Sequence, residues 1–178
     1  MPKRRIVVGV SGGIAAYKTA VLVSKWIQSG HRVSVVMTEG AAHFVGPATF
    51  TALCGEAPAM ALFDSRYPLG PHIELAQGCD LLVIAPATAR VLASCALGLA
   101  DDLLATLYLN VECPVVFAPA MSSPMWAKPS VQRNLSLLES DGAHFVGPES
   151  GWLSCRKLGV GRMAEPESIM EACQAWLE

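Results

Sequence analysis

Short apolar runs alternate with longer segments of helical character along the 178 residues of the chain, and this alternation is the strongest constraint on its fold. The runs are rich in β-branched residues and predict strands at residues 5–10, 31–37, 80–85, 113–118 and 143–146. Helices are predicted at residues 14–29, 89–99, 102–110, 125–140 and 166–176. Strands separated by helices predict an α/β fold with one domain over residues 1–178. We expect a doubly wound parallel sheet, Rossmann-like or flavodoxin-like, with helices on both faces.

Charge and hydropathy narrow the class of partner. The formal net charge of −2 gives no argument for binding nucleic acid or an anionic membrane surface. Apolar residues make up 52% of the chain, yet Arg90, Asp101 and Asp102 interrupt the longest apolar stretch before it reaches the length of a membrane span. The basic N-terminus leads into a short strand rather than a signal peptide. We therefore expect no nucleic-acid or membrane partner, and we expect the apolar excess to cover a buried sheet and a subunit interface.

The six cysteines contain no CxxC pair and no cluster with zinc-ligand spacing, so no metal site is expected. Since no secretory signal precedes them, reduced thiols in a cytoplasmic protein are the default interpretation. Five of the six lie among apolar neighbours, as small core residues do. Cys155 is the exception.

Cys155 lies in a glycine-rich, basic segment, residues 151–163, that is unlike a core helix or a central strand. Arg156 and Lys157 follow it directly, and neighbouring cations favour the thiolate form of a cysteine. Two interpretations remain open from these residues alone. The segment, called the flap below, either carries a reactive thiol over a substrate or is a surface loop with an incidental cysteine.

Small and hydroxyl residues follow four of the predicted strands, at the edge of the sheet where doubly wound folds bind ligands. These cradle residues are Ser11, Gly12, Gly13, Ile14, Thr38, Thr88, Ala89 and Ala120. Ordinary turns and helix caps use the same residue types, but four such turns on one edge favour a phosphate-bearing cofactor. The glycine loop is neither GxGxxG nor a P-loop, so FMN fits it better than NAD or ATP.

Five motifs occur in the order found in a known family. They are SGGIAAYK at 11–18, PHIEL at 71–75, PATA at 86–89, PAMSSPMW at 119–126 and the stretch 155–163. In these motifs the chain resembles the flavin-dependent cysteine decarboxylases over essentially its whole length. Within that family it is most similar to the branch that decarboxylates phosphopantothenoylcysteine in coenzyme A biosynthesis. Because it ends at Glu178 without the synthetase domain that is often fused to this branch, the stand-alone form is expected.

The resemblance implies a chemistry and a set of roles. FMN removes a hydride from the cysteine β-carbon, CO₂ is lost to give an enethiol, and the hydride returns with a proton. His72, which local context alone would make structural or solvated, is implied as the base, and Cys155 as the acid of the reductive step. Substrate contacts are implied for Ser122, Met125, Ser154 and Arg162. The flap is expected to close over a small-molecule thiol substrate and exclude water.

Two departures keep other substrates open. Ser122 stands where the family has an asparagine that holds the substrate carboxylate, and Arg90 stands where some members have asparagine. One alternative is a related enzyme that acts on the C-terminal cysteine of a peptide or on another thiol acid, although the retained Cys155 argues against it. Another is a non-catalytic flavoprotein that regulates a partner. The family and the apolar stretch 91–109 imply a homotrimer or a higher assembly of trimers.

Overall fold

A computed structural model describes residues 3–178. Its main sheet has five parallel strands in the order β2-β1-β3-β4-β5. The strands are β1 Arg5–Val10, β2 Arg32–Met37, β3 Leu81–Ala87, β4 Val115–Pro119 and β5 His144–Phe145. The prediction of a doubly wound parallel sheet is confirmed, because the strand order reverses between β1 and β3 and helices cover both faces.

Eight helices join and cover these strands in the described part of the chain. They are α1 Ala16–Gln28, α2 Pro47–Cys54, α3 Pro71–Ala76, α4 Ala89–Ala96, α5 Leu103–Asn110, α6 Ser123–Trp126, α7 Pro129–Ser140 and α8 Pro166–Leu177. A 3₁₀ turn at Glu39–His43 follows β2. Within residues 3–178, none of the helices combines the length and the apolar character needed to cross a bilayer.

Two hydrophobic cores lie on opposite faces of the sheet. On one face Trp26 of α1, Phe50 of α2 and Ile169 of α8 are fully or almost fully buried. On the other face Leu92 of α4 and Leu104 of α5 pack in the second core. The strands are apolar without alternation because both of their faces are covered, as expected for a parallel sheet.

The prediction of one helix over residues 125–140 is wrong. The segment forms two helices, α6 and α7, and Lys128 between them has an extended conformation with φ −66° and ψ 131°. Pro129 explains the break, because the proline ring disfavours helical geometry at the residue before it. The short helices α2 and α3 had no predicted counterpart, and each begins with a proline at its first turn.

The flap forms part of a second, two-stranded antiparallel sheet. Its strands are β6 Glu149–Trp152 and β7 Leu158–Arg162. The hairpin turn between them contains Cys155 and also Arg156, the only non-glycine residue of the described chain with a positive φ, at 63°. The glycines that predicted a mobile loop are therefore built into a ribbon.

Candidate active site

A cavity of about 1120 Å³ opens at the carboxyl ends of the sheet strands, between the strand-end turns and the ribbon. All the predicted site residues except His72 line it, so the cradle residues, the substrate-contact residues and Cys155 share one space. Its volume exceeds the roughly 300–1,000 Å³ typical of pockets for one drug-sized ligand. The cavity therefore has room for a cofactor and a substrate together.

Ser11 ties two strand-end turns together at the floor of the cavity. Its hydroxyl is buried, donates to the Pro86 carbonyl at 2.6 Å and accepts from the Thr88 backbone N–H at 3.1 Å. Its Oγ also lies 3.1 Å from the hydroxyl of Thr88. Ser11 thus fixes the end of β3 against the end of β1. It therefore holds two turns of the cradle in place as well as lining the cavity.

Gly12 is required by a close approach of two backbones. A Cβ atom at Gly12 would lie 2.8 Å from the carbonyl carbon of Gly40 in the 3₁₀ turn. At Gly13 the nearest atoms to an added Cβ would be 3.7 Å away. The glycine loop is therefore tightly packed at Gly12 and less tightly packed at Gly13, and both glycines line the cavity.

Three hydroxyl residues at helix starts leave their own helices uncapped. Thr38 precedes the 3₁₀ turn, Thr88 precedes α4 and Ser122 precedes α6, and none of the three side chains accepts a hydrogen bond from its own helix. A residue of this type at a helix start ordinarily satisfies a free backbone N–H. All three residues line the cavity, so an anionic cofactor or substrate bound there would meet hydroxyl groups at helix starts.

Met125 and the flap form the outer wall. Met125 is about half exposed, and Ser154 and Cys155 line the cavity from the hairpin turn of the ribbon. The turn is closed by hydrogen bonds from the Leu153 N–H to the Lys157 carbonyl and from the Arg156 N–H to the Leu153 carbonyl, both 2.9 Å. Cys155 is thus exposed at the tip of a defined turn.

The base of the flap is fixed to the loop before α6. The Met121 N–H donates to the Gly161 carbonyl at 2.9 Å, and the Ser123 hydroxyl donates to the Val160 carbonyl at 2.6 Å. Gly161 has a φ of +139°, and a Cβ there would collide with the Met121 carbonyl oxygen. Only the outer part of the ribbon is consequently free of such contacts, so the fixed base directs Cys155 toward the cavity.

Other cysteines have a different environment. Cys95 and Cys173 are buried among apolar side chains, and burial raises the pKa of each thiol to about 12. They are unreactive core residues, as expected from the sequence. Cys79 and Cys113 are only half-buried, and their Sγ atoms lie 3.5 Å apart at the opposite edge of the sheet from the cavity.

His72 is not among the residues that line this cavity. It lies in α3, which packs against α5, and its backbone carbonyl accepts a hydrogen bond from the Asn110 side chain at 3.2 Å. Its ring Nδ1 is buried without a hydrogen-bond partner among the described residues. A single copy of the chain therefore does not bring His72 together with Cys155.

The comparisons with known proteins agree with this geometry. The sequence model of the Flavoprotein family matches residues 1–178. The chain belongs to the Flavoprotein family. It is 46% identical over 175 residues to the coenzyme A biosynthesis bifunctional protein CoaBC of Mycobacterium tuberculosis, which covers 98% of this chain and 42% of that protein. It is 44% identical over 172 residues to CoaBC of Bacillus subtilis, with 96% and 42% covered. The chain thus spans less than half the length of these curated relatives.

Two solved structures are similar to this flavoprotein over almost its whole length. The FMN-dependent cysteine decarboxylase SpaF is 34% identical, with a TM-score of 0.84 and 98% of both chains covered. A PPC decarboxylase variant in complex with pantothenoylaminoethenethiol is 28% identical, with a TM-score of 0.86 and 99% of both chains covered. These comparisons confirm the predicted family resemblance and the flavodoxin-like fold, and they support the prediction that the cofactor is FMN.

The flavoprotein also has charged groups at the cavity that sequence reasoning did not assign. Arg90 forms ion pairs of 2.8 Å with both Asp101 and Asp102, and the hydrogen bond with Asp102 raises the pKa of the Arg90 guanidinium. Asp102 also accepts the Ala105 N–H and so caps α5. The sequence did not predict these ion pairs, since no spacing rule relates Arg90 to carboxylates 11 and 12 residues away.

Proposed function

We propose that this chain is an FMN-dependent carboxy-lyase that converts 4′-phosphopantothenoylcysteine to 4′-phosphopantetheine in coenzyme A biosynthesis. The observation that carries the proposal is the single cavity in which the cradle meets Cys155 on the flap. Its support from relatives is the similarity to CoaBC proteins and to PPC decarboxylase. The free cysteines of the described chain fit a reducing compartment, and we place the enzyme in the cytoplasm.

The residues of the cradle suit FMN. Gly12 and Gly13 line the cavity with backbone alone, and Thr38 and Thr88 line it at helix starts, so backbone N–H groups and hydroxyls would bind the phosphate. Ile14, Ala89 and Ala120 give the same cavity small or apolar walls. FMN bound there supplies a reversible two-electron acceptor, without which loss of CO₂ from a cysteine carboxylate would leave a carbanion with no electron sink.

The chain's own residues bind the substrate and move protons. Ser122 and Arg162 line the cavity and hold the substrate carboxylate, while Met125 and Ser154 bound the thiol end. The Cys155 thiol donates a proton to the enethiol as it is reduced. The flap excludes bulk water from that step, since its base is fixed over the cavity by Met121 and Ser123.

We further propose that a second copy of the chain supplies His72, in a homotrimer or a higher assembly of trimers. The base is absent from the cavity of one copy, and its ring Nδ1 has no partner among the described residues. Much of the apolar stretch 91–109 is explained by its own core, in which Val91, Leu92 and Leu104 are buried. The apolar side chains of Leu97, Leu99 and Leu109 remain exposed, and a neighbouring copy would cover them.

A mixing experiment tests this assembly. His72→Asn and Cys155→Ser chains, each deficient alone, are co-expressed with different tags, and double-tagged assemblies are isolated. If the base comes from a neighbour, some sites regain both groups and complete turnover returns. Activity no greater than the sum of the two separate variants, or a stable FMN-loaded monomer by light scattering, would contradict the proposal.

Ser122 favours a second candidate, an enzyme that decarboxylates the C-terminal cysteine of a peptide. A serine hydroxyl reaches less far than an asparagine amide and offers fewer donors, so the carboxylate has to be held differently. The chain nevertheless carries Cys155 on the ribbon, and this thiol suits a reaction that includes a reductive step. Cys155 therefore argues for phosphopantothenoylcysteine and against the peptide.

The substrate test is a competition. The FMN-loaded protein is incubated with equal concentrations of phosphopantothenoylcysteine and a cysteine-ended peptide, and the products are weighed by mass spectrometry. We expect phosphopantothenoylcysteine to lose CO₂ with no net oxidation and the peptide to remain. Preferential loss of CO₂ from the peptide selects the second candidate. If neither compound is turned over, the proposed function is wrong, and the remaining candidate is a flavoprotein that acts by binding a partner.

A further inference from the structure

Four charged side chains form a chain of ion pairs at the base of the flap. Glu165 accepts from Lys18 at 2.8 Å and from Arg162 at 2.9 Å, and Arg162 also reaches Glu149 at 3.3 Å. Lys18, Arg162 and Glu165 all line the cavity. This flap-base cluster connects α1, which follows the glycine loop of the cradle, to the end of β7 and the start of α8.

Lys18 has the most buried side chain of the cluster. It is 8% exposed, and its Nζ donates to the Met163 carbonyl at 3.1 Å as well as to Glu165. Burying a lysine costs free energy unless its charge is paired, so this position is not an ordinary surface lysine. Lys25 on the same helix is the contrasting case, because its ion pair with Glu167 at 3.0 Å is exposed.

Glu165 has one carboxylate for two cations. It precedes α8, but its side chain does not cap that helix and turns to Lys18 and Arg162 instead. If Lys18 were absent, the full charge of Glu165 would act on Arg162 in a partly buried site, where attraction between charges is stronger than in water. A substrate carboxylate would then have to compete with Glu165 for the guanidinium.

Arg162 is also held in one direction by packing. A Cβ atom at Gly151 would lie 3.1 Å from the Arg162 Nε, which shows that the guanidinium lies across the glycine of the facing strand. That Nε is buried and has no partner among the described residues. The Arg162 head therefore has few orientations, and the balance of charge around it decides whether it faces the cavity.

We propose that Lys18 is a positioning residue for Arg162. By sharing Glu165, it leaves the Arg162 guanidinium available to a carboxylate in the cavity. The carboxylate is that of the substrate if the proposed function holds, because the inference takes from it the role of Arg162. Lys18 itself does not touch substrate in this account.

The test compares four variants: Lys18→Met, Glu165→Gln, the double variant of these two, and Lys25→Met as the matched control. KM and kcat are measured with phosphopantothenoylcysteine. We expect Lys18→Met to raise KM about tenfold with kcat and FMN binding little changed, the pattern of a lost ground-state contact. The double variant should return KM close to the wild-type value, since Glu165 no longer competes for Arg162. Lys25→Met should behave like the wild type.

A purely structural tether predicts the opposite pattern. If Lys18 only held the flap in place, Glu165→Gln would weaken substrate binding too, and the double variant would be at least as impaired as Lys18→Met. Either result overturns the proposal, as does an unchanged KM in Lys18→Met. Should Lys18→Met fail to fold, Glu165→Gln alone decides, because the proposal expects its KM to be no higher than the wild-type KM.

A binding measurement separates this inference from the proposed function. N-acetylcysteine and its amide, which lacks the carboxylate, are titrated into the FMN-loaded proteins and followed by the flavin absorption band. We expect Lys18→Met to lose much of the preference for the acid and the double variant to regain it; an unchanged preference in Lys18→Met overturns the inference. Failure of the wild type to decarboxylate phosphopantothenoylcysteine overturns only the proposed function, because the preference for the acid is measured without turnover.

Discussion

The cradle and the flap line the same cavity but are built in different ways. The cradle consists of turns that continue buried strands of the parallel sheet, and Ser11 hydrogen-bonds two of these turns together below the surface. The flap belongs to a separate two-stranded sheet with exposed side chains, and it is fixed mainly at its base. A preorganised site binds a cofactor without an ordering cost, whereas segments with few buried contacts open at low free energy.

If the proposed function holds, we expect binding of the cofactor and chemistry on the substrate to be separable by mutation. Substitutions in the cradle should act first on FMN affinity. Substitutions in the flap or at His72 should leave FMN bound and act on turnover.

The largest effect is expected for His72→Asn. Loss of a general base costs roughly 10²–10⁴ in rate, so CO₂ release should fall at least about 100-fold. FMN should remain bound, because His72 is not one of the cradle residues. CO₂ release and the flavin spectrum are measured on the same sample. Near-normal turnover by the folded variant would remove His72 from the mechanism.

Gly161→Ala should damage the flap alone. The added Cβ meets the Met121 carbonyl oxygen, and alanine is strained at a φ of +139°, so the base of β7 has to shift. A misplacement of about 1 Å can cost up to roughly 100-fold in rate. Steady-state turnover and FMN titration are the measurements. Loss of FMN affinity equal to the loss of turnover would show that the two regions are not separable.

Gly12→Ala should damage the cradle. Its Cβ would lie 2.8 Å from the backbone of Gly40, and overpacking of this kind typically costs about 1–3 kcal/mol. We expect weaker FMN binding and a lower melting temperature, with normal turnover once FMN is saturating. Gly46→Ala is the control, because a Cβ there has no neighbour within 4 Å. Equal losses in the two variants would argue against the close approach.

Ser122→Asn should have the smallest effect of these substitutions, and it should improve substrate binding where the others impair function. Asparagine offers an amide donor with longer reach to a substrate carboxylate, so KM for phosphopantothenoylcysteine should fall a few-fold, within about 1 kcal/mol. FMN affinity should not change. A higher KM for phosphopantothenoylcysteine together with a lower KM for a cysteine-ended peptide would instead favour the peptide substrate.

The sequence predicts the sheet and the cradle well because both depend on local patterns. A run such as residues 80–85 is short, apolar and bounded by turn residues, and the structure places a strand at Leu81–Ala87. The glycine and hydroxyl residues that follow such strands share one edge by the geometry of parallel sheets. The prediction of one helix over 125–140 is wrong because Pro129 keeps Lys128 out of helical geometry, although the apolar pattern continues past it.

Contacts between distant residues could not be predicted in this way. Lys18 and Glu165 are 147 positions apart, and no spacing rule relates them. The hairpin around Cys155 was not predicted because its glycines are typical of a loop. In the structure, Gly161 and Gly151 allow close packing against Met121 and Arg162. The position of His72 outside the cavity depends on how α3 packs against α5, which is a tertiary property.

The most direct test of the central claim is a single turnover by Cys155→Ser with saturating FMN and phosphopantothenoylcysteine in the absence of oxygen. If the cradle carries the oxidative half and the flap thiol the reductive half, CO₂ is released and the flavin band stays bleached. A serine hydroxyl is a far weaker acid than a thiol, so the product should be lighter by two hydrogens than phosphopantetheine. Fully reduced phosphopantetheine formed at the wild-type rate, with recovery of the flavin band, would contradict the account.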